Sequence, residues 1–203
     1  MNNKVVGIMG GTFDPIHHGH LIVAEYVCSE LNLDKIIFIP SGKPYLKSNK
    51  KVSQTKHRLN MTKLAIIDNN KFEISTIEID RKGNTYTVDT IESLNKEYPL
   101  TTFYFIIGAD SLFDLQKWKN HNKLFNICNF IVVNRGGTCS YSMLKNKIDE
   151  LAKFNAKITL VHIPDIQISS SEIRTRVKDN LSIKYLLPEK VEKYILDNTL
   201  YTE

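Results

Sequence analysis

The sequence predicts an α/β fold, in which helices cover both faces of a doubly wound parallel sheet and further C-terminal helices follow it. Five short apolar runs predict the strands, because they are continuous, as in strands that are buried on both faces. Helical patterns separate these runs, and such alternation is typical of a parallel sheet. Glycine-rich and polar segments follow the strands, at the sheet edge where folds of this class bind ligands.

The predicted elements alternate along the chain. The continuous apolar runs cover residues 4–9, 35–40, 101–108, 130–134 and 157–164. An alternating run at 72–80 indicates a strand at the sheet edge or one covered on a single face. Helical patterns cover residues 21–32, 53–69, 87–98 and 142–154, and a C-terminal pair of helices begins at Ser170 and Pro188. Ser53 is the expected N-cap of the second helix.

Length and composition are typical of a single globular domain over residues 1–203. The chain is 42% hydrophobic and 24% charged, and no apolar run approaches the roughly 20 residues of a membrane span. The N-terminal segment lacks a signal-peptide pattern, so we expect a cytoplasmic protein that is not associated with a membrane. Cys28, Cys128 and Cys139 are too widely spaced for a disulfide framework or a zinc ribbon, and we expect them to be buried.

The formal net charge of +5 does not by itself indicate nucleic-acid binding, because the lysines cluster only in the segment 43–51. That segment fits a solvated loop, or a loop that holds a small phosphorylated substrate with roughly two negative charges at neutral pH. We therefore expect no nucleic-acid partner.

The segment GGTFDPIHHGH, residues 10–20, follows the first predicted strand. Gly10 and Gly11 suggest a nucleotide-binding turn, although the spacing matches neither G-x-G-x-x-G nor G-x-x-x-x-G-K-[ST]. Glycines also occur in any tight turn that needs a positive φ. His17, His18 and His20 could bind a metal ion or lie on the surface near a helix cap. Their spacing gives at most two ligands with a common direction, and no cysteine or carboxylate stands beside them.

Two motifs carry a resemblance to the nucleotidyltransferase superfamily. His17, Gly19 and His20 match its H-x-G-H motif, and ISSSEIR, residues 168–174, matches its I-S-S-[ST]-x-I-R segment. A serine-rich helix cap is the alternative for ISSSEIR alone, but the two motifs stand about 150 residues apart in the expected order. The resemblance implies a Rossmann-like nucleotidyltransferase fold.

Over nearly its whole length the chain resembles the bacterial nicotinate-nucleotide adenylyltransferase family. The further matches are HRLNM (57–61), GNTYTVDT (83–90), IIGADSLFDLQKW (106–118), NRGG (134–137) and the ending LLPEKVEKYI. One departure is Leu46, which replaces the histidine of the family's P-P-H-K loop, whereas Lys47 keeps the lysine. The resemblance implies that the adenylyl group of ATP is transferred to nicotinate mononucleotide, which gives nicotinate adenine dinucleotide (deamido-NAD) and pyrophosphate in NAD biosynthesis.

The implied reaction explains the residue types at the implied site. The attacking phosphate is mostly ionised at neutral pH, because its second pKa is ~6. A direct in-line attack therefore needs neither a general base nor a covalent intermediate, only positioning and charge stabilisation. The resemblance implies Mg²⁺ that is bound with ATP, and no metal ligands from the chain itself.

The resemblance also implies a role for individual residues. The catalytic residues are His17 and His20 as donors to the phosphates, with His20 at the α-phosphate, and Arg174 at the pyrophosphate. The implied ATP-binding residues are Gly10, Gly11, Thr12, Phe13, Gly19, Gly108, Asp110, Arg135, Ile168, Ser169, Ser170 and Ser171. The implied residues for nicotinate mononucleotide are Lys47, Thr85, Tyr86, Thr87 and Trp118.

Trp118 and Thr87 are expected to bind nicotinate for specific physical reasons, and His18 and Asp14 carry expectations of their own. Trp118 is the single tryptophan and offers a platform for the nicotinate ring, with a place in the core as the alternative. A free backbone N–H at Thr87, where a helix begins, would bind a carboxylate better than an amide, so we predict a preference for nicotinate over nicotinamide. His18 is expected to face solvent or the substrate, and the Asp14 side chain to fix the Asp-Pro turn.

Other functions stay open at this point. A phosphopantetheine adenylyltransferase of the same superfamily is usually shorter and lacks TYTVDT and GAD…KW. An enzyme that prefers nicotinamide mononucleotide is a closer alternative still. A non-catalytic nucleotide sensor or a nucleic-acid-binding module could use the same fold, although two intact motifs favour an enzyme. The sequence does not distinguish a monomer from a homo-oligomer.

Overall fold

The computed structural model describes residues 3–44, 52–135 and 139–202. Its strands are β1 (Lys4–Gly11), β2 (Lys35–Pro40), β3 (Lys43–Pro44), β4 (Phe72–Ile74), β5 (Asn84–Thr85), β6 (Thr101–Gly108), β7 (Asn129–Asn134) and β8 (Lys157–His162). Its helices are α1 (His18–Glu30), α2 (Thr55–Ile66), α3 (Thr87–Glu97), α4 (Ala109–Leu112), α5 (His121–Ile127), α6 (Tyr141–Ala152), α7 (Ser170–Lys178) and α8 (Glu189–Asp197). A short 3-10 helix covers Leu115–Lys117.

Six strands form one parallel sheet in the order β4-β2-β1-β6-β7-β8, and β3 pairs separately with β5. β1 lies between β2 and β6 and pairs with both. The chain therefore winds outward from β1 in both directions, and the strand order reverses between β1 and β6. Sheets of this type bind ligands beyond the carboxyl ends of the strands at such a switch point. The predicted doubly wound, Rossmann-like parallel sheet with C-terminal helices is confirmed.

Two hydrophobic cores cover the two faces of the sheet. Helices α1, α2, α7 and α8 contribute to the core on one face, and α3, α5 and α6 contribute to the core on the other. Residues 130–133 of β7 are each at most 2% exposed. Burial on both faces explains why the strands read as continuous apolar runs rather than as alternating ones.

The predicted strand at 72–80 is shorter than expected and ends at Ile74. The ladder stops after the Ser75 backbone N–H donates to Phe38 O at 2.9 Å. The Thr76 hydroxyl then donates to Asp80 Oδ2 at 2.7 Å, and the Asp80 N–H donates to Thr76 O at 2.9 Å. These local bonds hold a turn, so the alternation in the sequence continues beyond the strand itself.

Ser53 is not the N-cap of α2, which begins at Thr55 with Gln54 as its cap. An N-cap carbonyl accepts the first bond of its helix. The Ser53 carbonyl instead accepts from Arg58 Nε at 3.1 Å, and its N–H donates to Asp14 Oδ2 at 3.1 Å. Long-range bonds thus hold Ser53 outside the helix.

Two further expectations concern membranes and cysteines. Over the described ranges, no helix has the length and apolar character of a membrane span. Cys28 and Cys128 are buried, as expected, whereas Cys139 is only half-buried, and all three are free thiols.

Candidate active site

A cavity of about 880 Å³ lies at the carboxyl ends of β1 and β6, at the switch point of the sheet. Its volume is within the range of small-molecule sites in proteins. Many of the predicted site residues line it: Gly10, Gly11, Thr12, Gly19, His20, Thr85, Tyr86, Thr87, Gly108, Trp118 and Arg135. The structure therefore brings together residues that were predicted for two different substrates.

The glycines at the end of β1 leave little room for side chains. A Cβ on Gly10 would lie 3.0 Å from Phe105 Cζ, and one on Gly11 would lie 2.9 Å from Phe13 Cε1. Phe13 itself is 2% exposed, and it packs in the hydrophobic core rather than lining the cavity. The two glycines thus keep the backbone bare at the cavity wall, where a phosphate can approach it.

His17 and His20 lie at the start of α1, and their rings stack at 3.8 Å between centroids. The His17 N–H donates to His20 Nδ1 at 3.3 Å. His20 is half-buried and lines the cavity, with its ring edge-to-face against Phe13 at 5.1 Å. The first motif therefore presents His20 to the cavity and holds His17 behind it.

His17 is buried, with 3% of its surface exposed. Burial, with the positive charge of Arg135 and the neighbouring His18 as smaller causes, lowers the pKa of His17 to about 4. His17 is therefore a neutral imidazole at neutral pH. Its Nδ1 atom has no hydrogen-bond partner within the part of the chain that the structure describes.

The second motif docks on the turn that follows β1. The Ser170 hydroxyl donates to Pro15 O at 2.9 Å, and Arg174 Nη1 donates to Asp14 O at 2.6 Å. Ser169 is the N-cap of α7 and accepts from the Glu172 N–H at 3.2 Å. The two motifs are thus neighbours in space, although about 150 residues separate them.

Several predicted residues lie beside the cavity rather than in its wall. Ser169 and Ser171 have their hydroxyls 3.2 Å apart at the start of α7. At the other side, a Cβ on Gly108 would lie 2.5 Å from Asp110 Oδ1, so the Asp110 carboxylate folds back over Gly108. The predicted site residues outside the cavity lining are Phe13, His17, Asp110, Ile168, Ser169, Ser170, Ser171 and Arg174. Leu46 and Lys47 lie outside the described residues.

Trp118 and the residues 85–87 form a second wall, on elements that pack against the other face of the sheet from α1. The Trp118 ring meets Phe105 edge-on at 5.9 Å, and it both packs against the core and lines the cavity. Tyr86 is the N-cap of α3. Lys119 Nζ lies 4.1 Å from the centre of the Tyr86 ring, and 3.2 Å from Asp89 Oδ2. This wall offers an aromatic face, a helix N-terminus and a cation.

Sequence reasoning missed six polar residues of the cavity wall: Ser41, Glu78, Ser111, Asp114, Lys117 and Lys119. Ser41 directly follows β2 and both lysines flank Trp118, so their positions beside predicted features were a usable signal. Glu78 carried no such signal, because it fell inside the predicted strand at 72–80. The Thr90 hydroxyl donates to Glu78 Oε1 at 2.9 Å, and burial raises the pKa of the Glu78 carboxyl.

The Asp14 side chain was predicted to fix the Asp-Pro turn through local bonds, but its partners are distant residues. Its Oδ1 accepts from the Tyr201 hydroxyl at 2.7 Å, and its Oδ2 accepts from the Ser53 N–H at 3.1 Å. Asp14 is 5% exposed, and a buried carboxylate needs such donors. Distant segments thus hold the turn. His18 is half-buried, and its N–H donates to Leu186 O at 3.0 Å.

Known proteins are similar in sequence to this chain along almost all of its length. The family model described as cytidylyltransferase-like matches residues 8–176. A protein from a Thermoanaerobacter species, named a probable nicotinate-nucleotide adenylyltransferase, is 48% identical over 198 residues, which are 97% of this chain and 93% of that protein. The chain belongs to the nicotinate-nucleotide adenylyltransferase family. A second relative of the same name, from Lachnoclostridium phytofermentans, is 43% identical over 98% of this chain and 99% of its own length.

A solved structure supports the fold of this adenylyltransferase chain. The nicotinic acid mononucleotide adenylyltransferase of Plasmodium falciparum, complexed with NaAD, superposes with a TM-score of 0.79 at 25% identity. The match covers 98% of this chain and 97% of that one. The adenylyltransferase family and the nucleotidyltransferase fold that the sequence predicted are both confirmed.

The residues 3–44, 52–135 and 139–202 of this adenylyltransferase gather no group of three or more His, Cys, Asp or Glu side chains that could hold a metal ion. His17, His18 and His20 therefore have no further protein ligand of these types beside them within those ranges.

Proposed function

We propose that the chain transfers the adenylyl group of ATP to nicotinate mononucleotide, and forms nicotinate adenine dinucleotide and pyrophosphate in NAD biosynthesis. One observation carries the proposal: a single cavity has the H-x-G-H turn in one wall and residues 85–87 with Trp118 in the other. The first wall suits nucleotide phosphates, and the second suits a flat aromatic acid. Two substrates bound in one cavity can react directly.

The reaction needs positioning and charge stabilisation rather than proton transfer. The mononucleotide phosphate is mostly ionised at neutral pH, so it can attack the α-phosphorus of ATP in line without a general base. His17 is neutral at that pH because its pKa is about 4, so it can donate an N–H but adds no charge. Positive charge at the phosphates then comes from Arg135 and Arg174, and His20 donates to the α-phosphate.

ATP is proposed to bind across the turn after β1 and the start of α7. The bare backbone at Gly10 and Gly11 and the N-terminus of α1 suit phosphate oxygens. The remaining proposed contacts come from Thr12, Phe13, Gly19, Gly108, Asp110, Ile168, Ser169, Ser170 and Ser171. Mg²⁺ is proposed to be bound with ATP, because this ion usually keeps its waters and is held by substrate phosphates.

Nicotinate mononucleotide is proposed to bind at the opposite wall. Trp118 gives the nicotinate ring an aromatic face, and Thr85, Tyr86 and Thr87 place the N-terminus of α3 at its carboxylate. Lys47 is proposed to hold the mononucleotide phosphate. Because a carboxylate gains more than an amide from a helix N-terminus, kcat/KM for nicotinate mononucleotide should exceed that for nicotinamide mononucleotide. Equal values would contradict this specificity.

An assay of pyrophosphate release tests the function. The chain is incubated with ATP, Mg²⁺ and nicotinate mononucleotide, and pyrophosphate and dinucleotide are measured. We expect His20→Ala to abolish turnover and His18→Ala, its matched neighbour, to retain it. Without any pyrophosphate from the wild-type chain the proposed function is wrong, and near-wild-type turnover by His20→Ala removes His20 from the mechanism.

The location, domain organisation and partners of the enzyme are also proposed. The cytoplasm is the proposed location, and a single domain over residues 1–203 is the proposed organisation. ATP and nicotinate mononucleotide are the proposed partners, without nucleic acid or membrane. Size-exclusion chromatography with light scattering would distinguish a monomer from a homo-oligomer.

A further inference from the structure

Arg58 in α2 is a buried cation to which none of the roles above assigns a function. It is 1% exposed, although a charged side chain is costly to bury unless polar partners surround it. Its guanidinium makes four hydrogen bonds. Nε donates to Ser53 O at 3.1 Å, Nη1 to Thr12 O at 2.8 Å, and Nη2 to Gly42 O at 3.1 Å and to Thr55 Oγ1 at 3.2 Å.

The bonds of Arg58 reach beyond its own helix. If Arg58 only anchored the start of α2, its bonds to Ser53 and Thr55 would be sufficient. Two further bonds go to the loop after β1, at Thr12, and to the loop after β2, at Gly42. The planar guanidinium can donate to several carbonyls at fixed angles, which a lysine ammonium cannot do in the same way. Arg58 thus joins the ends of two adjacent strands.

A buried carboxylate balances this cation. Asp14 is 5% exposed, and it accepts from the N–H of Ser53, the residue whose carbonyl accepts from Arg58. The Arg58 guanidinium and the Asp14 carboxylate therefore both bond to the backbone of Ser53. This arrangement compensates the buried charge without using the guanidinium bonds to Thr12 and Gly42.

The two loops held by Arg58 belong to opposite walls of the cavity. Thr12 lines the wall with the H-x-G-H turn. Gly42 packs so closely on Glu78 that a Cβ would lie 2.1 Å from Glu78 O, and the Thr85 hydroxyl donates to Lys43 O at 3.4 Å. Glu78 and Thr85 both line the other wall. A chain of direct contacts thus runs from one wall through Arg58 to the other.

We propose that Arg58 is a positioning residue that fixes the distance between the ATP wall and the mononucleotide wall. The proposal rests on the proposed function, because the distance matters only if two substrates react with each other. Arg58 touches neither substrate and acts through the backbone at Thr12 and Gly42. A displacement of about 1 Å between reacting groups can cost on the order of 100-fold in rate.

Steady-state kinetics of Arg58→Lys and Arg58→Met test this role. We expect kcat to fall roughly 10- to 100-fold, while the KM values of both substrates change by less than about threefold, since each wall remains intact by itself. The matched control is Ile66→Ala, a buried residue of the same helix outside the cavity. It should lower the melting temperature and leave kcat unchanged below the transition. Wild-type kcat in Arg58→Met, or an equal loss in Ile66→Ala, overturns the proposal.

Two further measurements test the proposal: chemical rescue tests the planar guanidinium itself, and a substitution at Gly42 remains available if Arg58 variants fold poorly. In Arg58→Ala, added guanidinium ion at low millimolar concentration should restore kcat several-fold, whereas methylammonium, with the same charge but no planar fork, should not. Gly42→Ala displaces the same loop from its other side and should give the same fall in kcat. Wild-type kcat in Gly42→Ala, or equal rescue by both ions, overturns the proposal. An inactive wild-type chain would instead contradict the proposed function.

Discussion

Acid should weaken the fold through His17, because the environment of this side chain disfavours its charged form. Burial, with Arg135 and His18, lowers its pKa from 6.5 to about 4. In the unfolded chain the imidazole takes up its proton near pH 6.5, so the unfolded state binds the proton more tightly than the folded state. The stability contributed by neutral His17 is therefore fully present above about pH 6.5 and is lost as the pH falls to about 4.

The size of this effect follows from the two pKa values. A tenfold difference in proton affinity is worth about 1.4 kcal/mol. The difference between 6.5 and about 4 then corresponds to about 3.4 kcal/mol when His17 is protonated in both states. At about pH 5, where only the unfolded chain is largely protonated, the loss is about 2 kcal/mol.

Urea unfolding at about pH 7.5 and pH 5 measures this loss. His17→Gln has no proton to bind at this position, so its free energy of unfolding should fall by about 2 kcal/mol less than that of the wild type between the two pH values. Ile16→Val is the matched control, since Ile16 is 0% exposed and does not titrate. It should cost about 0.5–1.5 kcal/mol at both pH values. If His17→Gln loses as much stability on acidification as the wild type, His17 is not held neutral by the fold.

Three further predictions concern the cavity wall and the turn after β1. Trp118→Ala should raise KM for nicotinate mononucleotide roughly 10- to 100-fold, because stacking a base on an aromatic side chain is worth about 1–3 kcal/mol; an unchanged KM would leave Trp118 with a core role alone. Tyr201→Phe removes the donor 2.7 Å from Asp14 Oδ1 and should cost about 1.5–3 kcal/mol of unfolding free energy, so wild-type stability in urea would contradict the importance of this bond. Burial raises the pKa of Glu78 above 4.5, so the folded state favours its neutral form, and that stability is present below about pH 4.5 and lost as the pH rises through the folded pKa. Glu78→Gln should therefore gain stability relative to the wild type as the pH rises, and urea unfolding that shows no such trend would refute it.

The sheet could be predicted because its strands carry their signal locally. Residues 130–133 are buried on both faces, and a continuous apolar run follows directly from that burial. The strand at Phe72–Ile74 was overestimated because the alternation continues to Asp80, where a turn rather than a ladder satisfies the backbone. Local periodicity does not show which partner a backbone group finds.

Some residues of the candidate site could likewise be predicted from sequence, and others could not. Gly10, Gly11 and His20 were chosen from sequence by their position at a strand end and by the motif resemblance, and all three line the cavity. The partners of Arg58, Asp14 and Glu78 could not be derived from the sequence, since they lie far along the chain or on other elements. Asp14 was expected to bond within its own turn, but its carboxylate binds Ser53 and Tyr201 instead.

The bond between Asp14 and Tyr201 also has a consequence for synthesis on the ribosome. The turn after β1 is made 187 residues before the tyrosine that holds its carboxylate, and before the Arg174 that binds its backbone. A nascent chain must therefore leave this turn without these contacts until Arg174 and Tyr201 have emerged, and contacts of such separation form slowly. A chain released early, without Tyr201, lacks one of the two donors to the Asp14 carboxylate. This turn thus gains these two contacts only after Arg174 and Tyr201 have been synthesised.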